Sequence, residues 1–302
     1  MNTQVNFLGK KFANPLVLAS GVLGVTASSW SNVVKHGVGG ITIKSCSLKP
    51  REGHPNPTMH GTDHYFINAV GLCNPGVDEV IEEIAVYKKK NKAPLIASIF
   101  AGSVKDFGRL AKKISEADID FIEANISCPN VKKEFKEPYA YSPQASATIT
   151  KEIKKNIKIP VIIKLSPNAW NIVEIGKACE KAGADALCAG NTVSGMAINA
   201  KMATPILSNI QGGVSGPAIK PMALKCVWDL YENVKIPIIG TGGITTGEDA
   251  VEMMMAGASL IGVGSAVYYR KIDVFKKIDK EIQYFMKKNK YTNIKQIIGR
   301  AH

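Results

Sequence analysis

Eight short apolar runs recur along this chain, and they constrain its architecture more than any other feature. In order they read LVLASG, GGITIKS, PLIASIF, DFIEANIS, PVIIKLS, DALCAGN, PIIGTGG and SLIGVGS. Near-continuous apolar, β-branched runs suit strands covered on both faces, as in parallel sheets, rather than half-solvated antiparallel ones. Most of them are separated by segments of helical period, at 77–90, 104–115, 145–156, 172–182, 222–233 and 247–256. The connections KAGADALCAG and MAGASLIGVG resemble each other, as successive helix-to-strand turns of one repeat do. The pattern predicts an α/β chain, a single-domain (β/α)8 TIM barrel spanning residues 1–302, a length that suits a fold of about 250 residues plus insertions.

Composition narrows the functional classes. Apolar residues make up 45% of the chain, enough for a sizeable core and against disorder. No run approaches the ~20 apolar residues that span a bilayer, and the N-terminus has no signal-like apolar stretch, so a cytoplasmic protein with no membrane partner is expected. The six cysteines, at 46, 73, 128, 179, 188 and 226, include no C-x-x-C pair, which argues against a zinc site or a disulfide framework. A net charge of +13 invites a polyanion partner, yet only four of the 38 basic residues are arginine, at 51, 109, 270 and 300. Phosphate and base readers favour arginine's fork, and the lysines gather in helical stretches such as YKKKNK, so solvated helix faces and no nucleic-acid partner are expected.

A barrel of this kind carries its chemistry at the carboxyl ends of the strands. Seven of those ends are chemically unusual: Ser20 and Gly21, Lys44 and Ser45, Asn125 to Cys128, Lys164 and Ser166, Asn191 and Thr192, Gly242 and Gly243, Gly264 and Ser265. The glycine-rich pieces GTGGI and GVGSA follow the seventh and eighth runs, where barrels commonly bind phosphate through backbone N–H groups; either alone also reads as a tight turn. Lys44 and Lys164 end apolar runs, and a buried ammonium needs an anionic partner or gives up its charge, unless the side chain snorkels to the rim. The amides of Asn68, Asn125, Asn130 and Asn191, with Thr192, offer donors and acceptors together, which suits a ring with alternating N–H and C=O groups; each asparagine alone also reads as a turn former. His54, His60 and His64 lack regular ligand spacing, and no metal site is expected.

Through these residues the chain resembles the dihydroorotate dehydrogenases along essentially its whole length. The pieces NPLVLASGV, TIKS, NAVGLCNPGV, NISCPNV, VIIKLSPN, AGNTVSGMAI, GGVSGPAIKPMAL, GTGGI and GVGSA occur in the family's order. The best match is the NAD-linked bacterial type, its FMN-containing catalytic subunit. The resemblance implies oxidation of (S)-dihydroorotate to orotate in pyrimidine (UMP) biosynthesis, with Cys128 as the base and one FMN per chain as hydride acceptor. A thiol is a far better proton acceptor near neutrality than a serine hydroxyl.

By the same likeness, Lys44, Asn68, Ala69, Val70, Gly71, Leu72, Asn125, Asn130, Asn191 and Thr192 are expected substrate contacts. Ser20, Gly21, Lys44, Ser45, Asn125, Lys164, Gly190, Gly216, Gly242, Gly243, Gly264 and Ser265 form the expected FMN set, with Lys164 balancing charge on the reduced ring. The family implies a homodimer and a partner subunit carrying FAD and [2Fe–2S], together a heterotetramer that passes electrons to NAD. After CPNVK the chain reads KEFKEPYAYSP where family members usually have glycines, a departure in the segment over Cys128. Four alternatives stay open: a dihydropyrimidine dehydrogenase flavin subunit, a fumarate-linked homodimeric dihydroorotate dehydrogenase, a tRNA dihydrouridine synthase, and a noncatalytic basic scaffold. Only about 35 residues follow the eighth run, too few for the helical RNA-binding domain a tRNA enzyme adds.

Overall fold

The computed structural model describes residues 1–126 and 139–302. The eight runs form β1 (Leu16–Leu18), β2 (Gly40–Thr42), β3 (Leu95–Ile99), β4 (Phe121–Asn125), β5 (Val161–Lys164), β6 (Ala186–Ala189), β7 (Ile238–Thr241) and β8 (Leu260–Val263). All pair in parallel with their sequence neighbours, and β8 pairs back onto β1 to close the barrel. The expected (β/α)8 architecture is therefore present.

Helices α1 (Ala27–Lys35), α2 (Val77–Lys88), α3 (Val104–Ile114), α4 (Pro143–Asn156), α5 (Ile172–Lys181), α6 (Lys220–Tyr231) and α7 (Gly247–Met255) follow the first seven strands in turn. After β8 come α8 (Ala266–Arg270) and α9 (Val274–Lys288). Helix α1 has no counterpart among the predicted segments, because ASSWSNVVK is rich in serine, a weak helix former. Its start is fixed instead by the Thr26 side chain, which accepts the Ser29 N–H. Packing does the rest: Ala27, Trp30 and Val33 are buried, and Trp30 meets Tyr87 of α2 edge-on at 5.9 Å. Helix α4 begins two residues before the predicted Ala145, with Ser142 as cap and Pro143 in the first turn, where a missing N–H costs nothing.

An antiparallel hairpin, Val5–Phe7 with Lys10–Phe12, closes the amino-terminal end of the barrel. Phe7 and Phe12 pack against Phe121, the first residue of β4, at ring separations of 5.8 and 6.1 Å. All three are at most 1% exposed, a burial worth roughly 2 to 3 kcal/mol for each ring. The opposite end stays open. There, Met59–Gly61 and Phe66–Asn68 from the β2–α2 connection join Val193–Met196 and Gln211–Ser215 from the β6–α6 connection in a four-stranded antiparallel sheet. This sheet, absent from the sequence expectations, raises one wall above the strand ends. Among the described residues no helix is long and apolar enough to cross a membrane.

Candidate active site

A cavity of about 890 Å³ sits over the carboxyl ends of every strand except β3, within the roughly 300–1,000 Å³ range of small-molecule sites. The expected residues gather in it. Ser20, Gly21, Lys44, Ser45, Asn125, Lys164, Gly190, Gly242, Gly243, Gly264 and Ser265 line it, as do Asn68 to Leu72, Asn191 and Thr192. Gly216 does not: it precedes the short turn Pro217–Ile219, and a Cβ there would lie 2.7 Å from the Tyr269 hydroxyl, behind the wall that its neighbour Ser215 presents. Cys128 and Asn130 lie outside the described residues.

The floor is a continuous polar chain. Residues two apart on a strand share a face, so Glu123 and Asn125 of β4 both point inward. Ser98 of β3 lies directly across from Glu123, and Lys164 of β5 across from Asn125. Lys164 Nζ donates to Ser20 Oγ at 3.0 Å and stands 3.7 Å from Glu123 Oε1. Ser98 Oγ donates to the same oxygen at 2.9 Å and shares a 2.8 Å bond with Ser45 Oγ. Asn125 Nδ2 donates to Ser45 Oγ at 3.3 Å, and Asn191 Nδ2 reaches Asn125 Oδ1 at 3.5 Å. In a low-dielectric interior such chains hold each member in one orientation.

The two lysines differ in charge support. Burial lowers the pKa of Lys44; Cys73 pulls the other way, and the nearby Lys164 adds a smaller lowering. Burial also opposes the charged form of Lys164, but the Glu123 carboxylate outweighs it and the pKa stands above the ordinary lysine value. Cys188, beside Lys164 on β6, is pushed up to about 12 by burial and is a neutral thiol. Cys46 and Cys179 are likewise pushed up to about 12 by burial, which makes them inert core residues.

Several wall residues escaped the sequence reading. Arg51 Nε donates to the Gly71 carbonyl at 2.7 Å, and His54 Nδ1 lies 3.0 Å from the Ala69 carbonyl, so the 51–54 segment braces the 68–72 loop from behind. Asn168 ties the loop after β6 to the loop after β5: its Nδ2 donates to Thr192 O at 3.0 Å and Ser166 Oγ at 3.1 Å, while its Oδ1 accepts the Ser194 N–H at 2.8 Å. Glu123 had one visible signal, a carboxylate inside an otherwise apolar run. Among the described residues no group of three or more His, Cys, Asp or Glu side chains converges as a metal site.

At the far end, Gly242 and Gly243 adopt φ of +140° and +75°, a region closed to most side chains. A Cβ on Gly243 would lie 2.4 Å from Lys220 Cβ and 2.5 Å from its Cα. Bare backbone is therefore required where the β7 loop meets the start of α6, and it leaves this end of the cavity open to a ligand that approaches main chain. The residues present fit a phosphorylated aromatic cofactor: a glycine-lined end, a cationic floor and polar walls.

Comparison with known proteins agrees with this chemistry. The family model for dihydroorotate dehydrogenase matches residues 2–286. A protein from Methanocaldococcus jannaschii named dihydroorotate dehydrogenase B (NAD(+)), catalytic subunit, is 47% identical over 302 residues, covering 99% of this chain and 98% of the relative. Proteins of the same name from Methanosarcina mazei and Pyrococcus abyssi are each 44% identical, covering 97% and 99% of this chain and 93% and 98% of the relatives. The chain belongs to the dihydroorotate dehydrogenase family.

Proposed function

We propose that this protein oxidises (S)-dihydroorotate to orotate, acting from residue 1 to 302 as one barrel domain with FMN and substrate at the carboxyl ends of the strands. The observation that carries the reading is the meeting of Asn68, Asn125, Asn191 and Lys44 in the cavity whose floor holds Lys164 and whose far end is bare glycine. Bound there, FMN supplies the acceptor for the hydride that leaves one ring carbon of the substrate. The protein's own residues supply everything else. Cys128 takes the proton from the neighbouring carbon, a role that family resemblance supports. The asparagines and Thr192 read the ring's alternating donors and acceptors, and Lys44, which has no ion-pair partner among the described residues, attracts the substrate carboxylate. Ser20, Ser45, Gly190, Gly264 and Ser265 complete the FMN contacts, with Lys164 facing the ring.

The electrons then need an outlet. The sequence offers no strand-linked G-x-G-x-x-G fingerprint and no cysteine cluster of iron–sulfur type. The relatives' names describe catalytic subunits of NAD-linked enzymes. The names support a separate partner subunit that relays electrons to NAD; that this chain forms a homodimer and that the partner carries FAD and [2Fe–2S] is what the family resemblance implies.

One experiment tests the activity. The purified chain is expected to be yellow, to release FMN on denaturation, and to bleach on addition of dihydroorotate but not of dihydrouracil. A colourless protein, or release of FAD alone, would overturn the reading. Steady-state assays then separate the acceptors: NAD reduction is expected only with the partner subunit present, and efficient fumarate reduction by the chain alone would place it in the self-sufficient homodimeric class instead.

A further inference from the structure

The Glu123–Lys164 pair is buried beneath the cavity, and burial of this depth needs an explanation. Glu123 is 2% exposed and Lys164 5%. Replacing a buried ion pair by apolar residues of similar volume is often neutral or stabilising, so stability alone does not account for it. Its placement suggests another purpose. Glu123 lies one layer below the Asn125–Lys164 layer, on the strand next to Lys164, so its carboxylate approaches the ammonium diagonally from beneath while the ammonium's other contact, Ser20 Oγ, lies on the cavity wall. Ser98 holds the carboxylate from the third strand. The charged or titratable groups that face Lys164 are Glu123 on β4, the Cys188 thiol on β6 and the Lys44 ammonium after β2. Cys188 is neutral and Lys44 repels, which leaves Glu123 as the anion that supports the charge among the described residues.

We infer that Glu123 is a positioning residue that keeps the Lys164 ammonium charged and fixed at the cavity floor before any ligand charge develops there. This rests on the proposed function in one respect: the ligand that develops charge beside Lys164 is FMN on reduction. A lysine already charged takes up no proton when that happens. Lys44 shows the contrast within the same cavity, a half-buried lysine with no carboxylate partner among the described residues and a lowered pKa.

The test has a flavin-free arm and a flavin-loaded arm. In flavin-free chain with 13C-labelled lysine, the Lys164 signal is assigned by its loss in Lys164→Met. Wild-type Lys164 is expected to remain an ammonium across the pH range in which the fold holds. In Glu123→Gln its acid dissociation constant is expected to rise at least tenfold, below the ordinary lysine pKa, and Glu123→Asp, with a shorter reach, should fall between. An unchanged titration in Glu123→Gln overturns the inference. If that variant fails to fold, Glu123→Asp decides by the same criterion, at a threefold change. In the loaded arm, photoreduction of bound FMN in weakly buffered indicator solution counts protons. Between the two Lys164 pKa values, Glu123→Gln should take up one more proton per flavin than wild type. A shifted titration without the extra proton would leave the pair's charge-setting role standing and remove FMN from beside Lys164, so the two readings fail separately.

Discussion

Replacing Gly243 by alanine should damage the proposed FMN site through geometry alone. The added Cβ would lie 2.4 Å from Lys220 Cβ, 2.5 Å from its Cα and 2.6 Å from its N. Ordinary contact begins at 3.4 Å, so one side must move by about 1 Å. Lys220 cannot move freely, because its Nζ is held at 2.8 Å by both Asp249 and Glu252 of α7. The left-handed φ of +75° adds about 1 to 2 kcal/mol for any residue with a Cβ, and overpacking against fixed backbone adds about 1 to 3 kcal/mol. A total of roughly 2 to 5 kcal/mol must appear as lost stability, as a displaced loop, or as both. Urea unfolding of the flavin-free chain reads the first, and fluorescence titration with FMN reads the second, where each 1.4 kcal/mol is about tenfold in Kd. Gly264→Ala serves as the stability control. Its Cβ would meet Ala19 Cβ at 3.5 Å and Val22 Cγ2 at 3.6 Å, ordinary contacts, so the fold should lose no more than about 0.5 kcal/mol. If Gly243→Ala matches wild type within about 0.5 kcal/mol and binds FMN within about twofold, the claim that bare backbone is required there is wrong.

Three further outcomes are expected. Cys128→Ala should slow flavin reduction by dihydroorotate by about two to four orders of magnitude, the usual range for loss of a general base, while orotate still binds; stopped-flow bleaching at the wild-type rate would refute the role. Asn168→Ala removes two hydrogen bonds between the loops after β5 and β6 and one within the first of them; at about 1 kcal/mol each, less what water restores, orotate affinity should fall about tenfold with FMN affinity unchanged, as read by flavin absorbance titration. Asp249 has its pKa lowered to about 2: burial raises it, but Lys220 and the N–H and hydroxyl donors of Thr245 and Thr246 more than compensate. A depressed carboxyl pKa stabilises the fold above the unfolded value of 3.8 and loses that contribution as pH falls toward about 2, so wild type should surrender about 1 kcal/mol more than Asp249→Ala between pH 6 and pH 3 in denaturant melts.

How much of this was legible beforehand depended on how local each signal was. Every barrel strand was readable, because a run such as PVIIKLS is apolar and β-branched within its own few residues. The unusual residues at the strand ends were readable too, because a barrel fixes which strand end carries the chemistry; Ala69 to Leu72 and Gly190 came from the family resemblance alone. What could not be read depended on distant pairing. The strand Gln211–Ser215 is QGGVS, with poor intrinsic preference for extended structure, and forms because Gly213 to Ser215 pair with Asn68 to Phe66 far back in the chain. Helix α1 hid for a similar reason, since packing of Ala27, Trp30 and Val33, with Trp30 against the distant Tyr87, outweighs its serines. Glu123 looked like one odd letter in a strand until the register set it beside Ser98 and diagonal to Lys164. Asn168 sat unremarked in LSPN, because the groups it ties together follow about 25 residues later.

The pairing of β8 with β1 has a consequence for how this molecule comes into being. Ile261, Gly262 and Val263 are in register with Leu16, Val17 and Leu18, so the last ladder joins the two extremes of the chain's strand order. Until residue 263 has been synthesised, β1 and β7 each present an open row of main-chain N–H and C=O groups, and the forming sheet is a curved ribbon with two adhesive edges. Loop closure over so long a separation is entropically slow, and contacts of that span delay folding. The nascent protein is thus most prone to sticking to its own kind late in translation, just before the ring seals, and a chain shortened by even its final strand would keep both edges for good. Once sealed, the ring has no sheet edge left in its barrel.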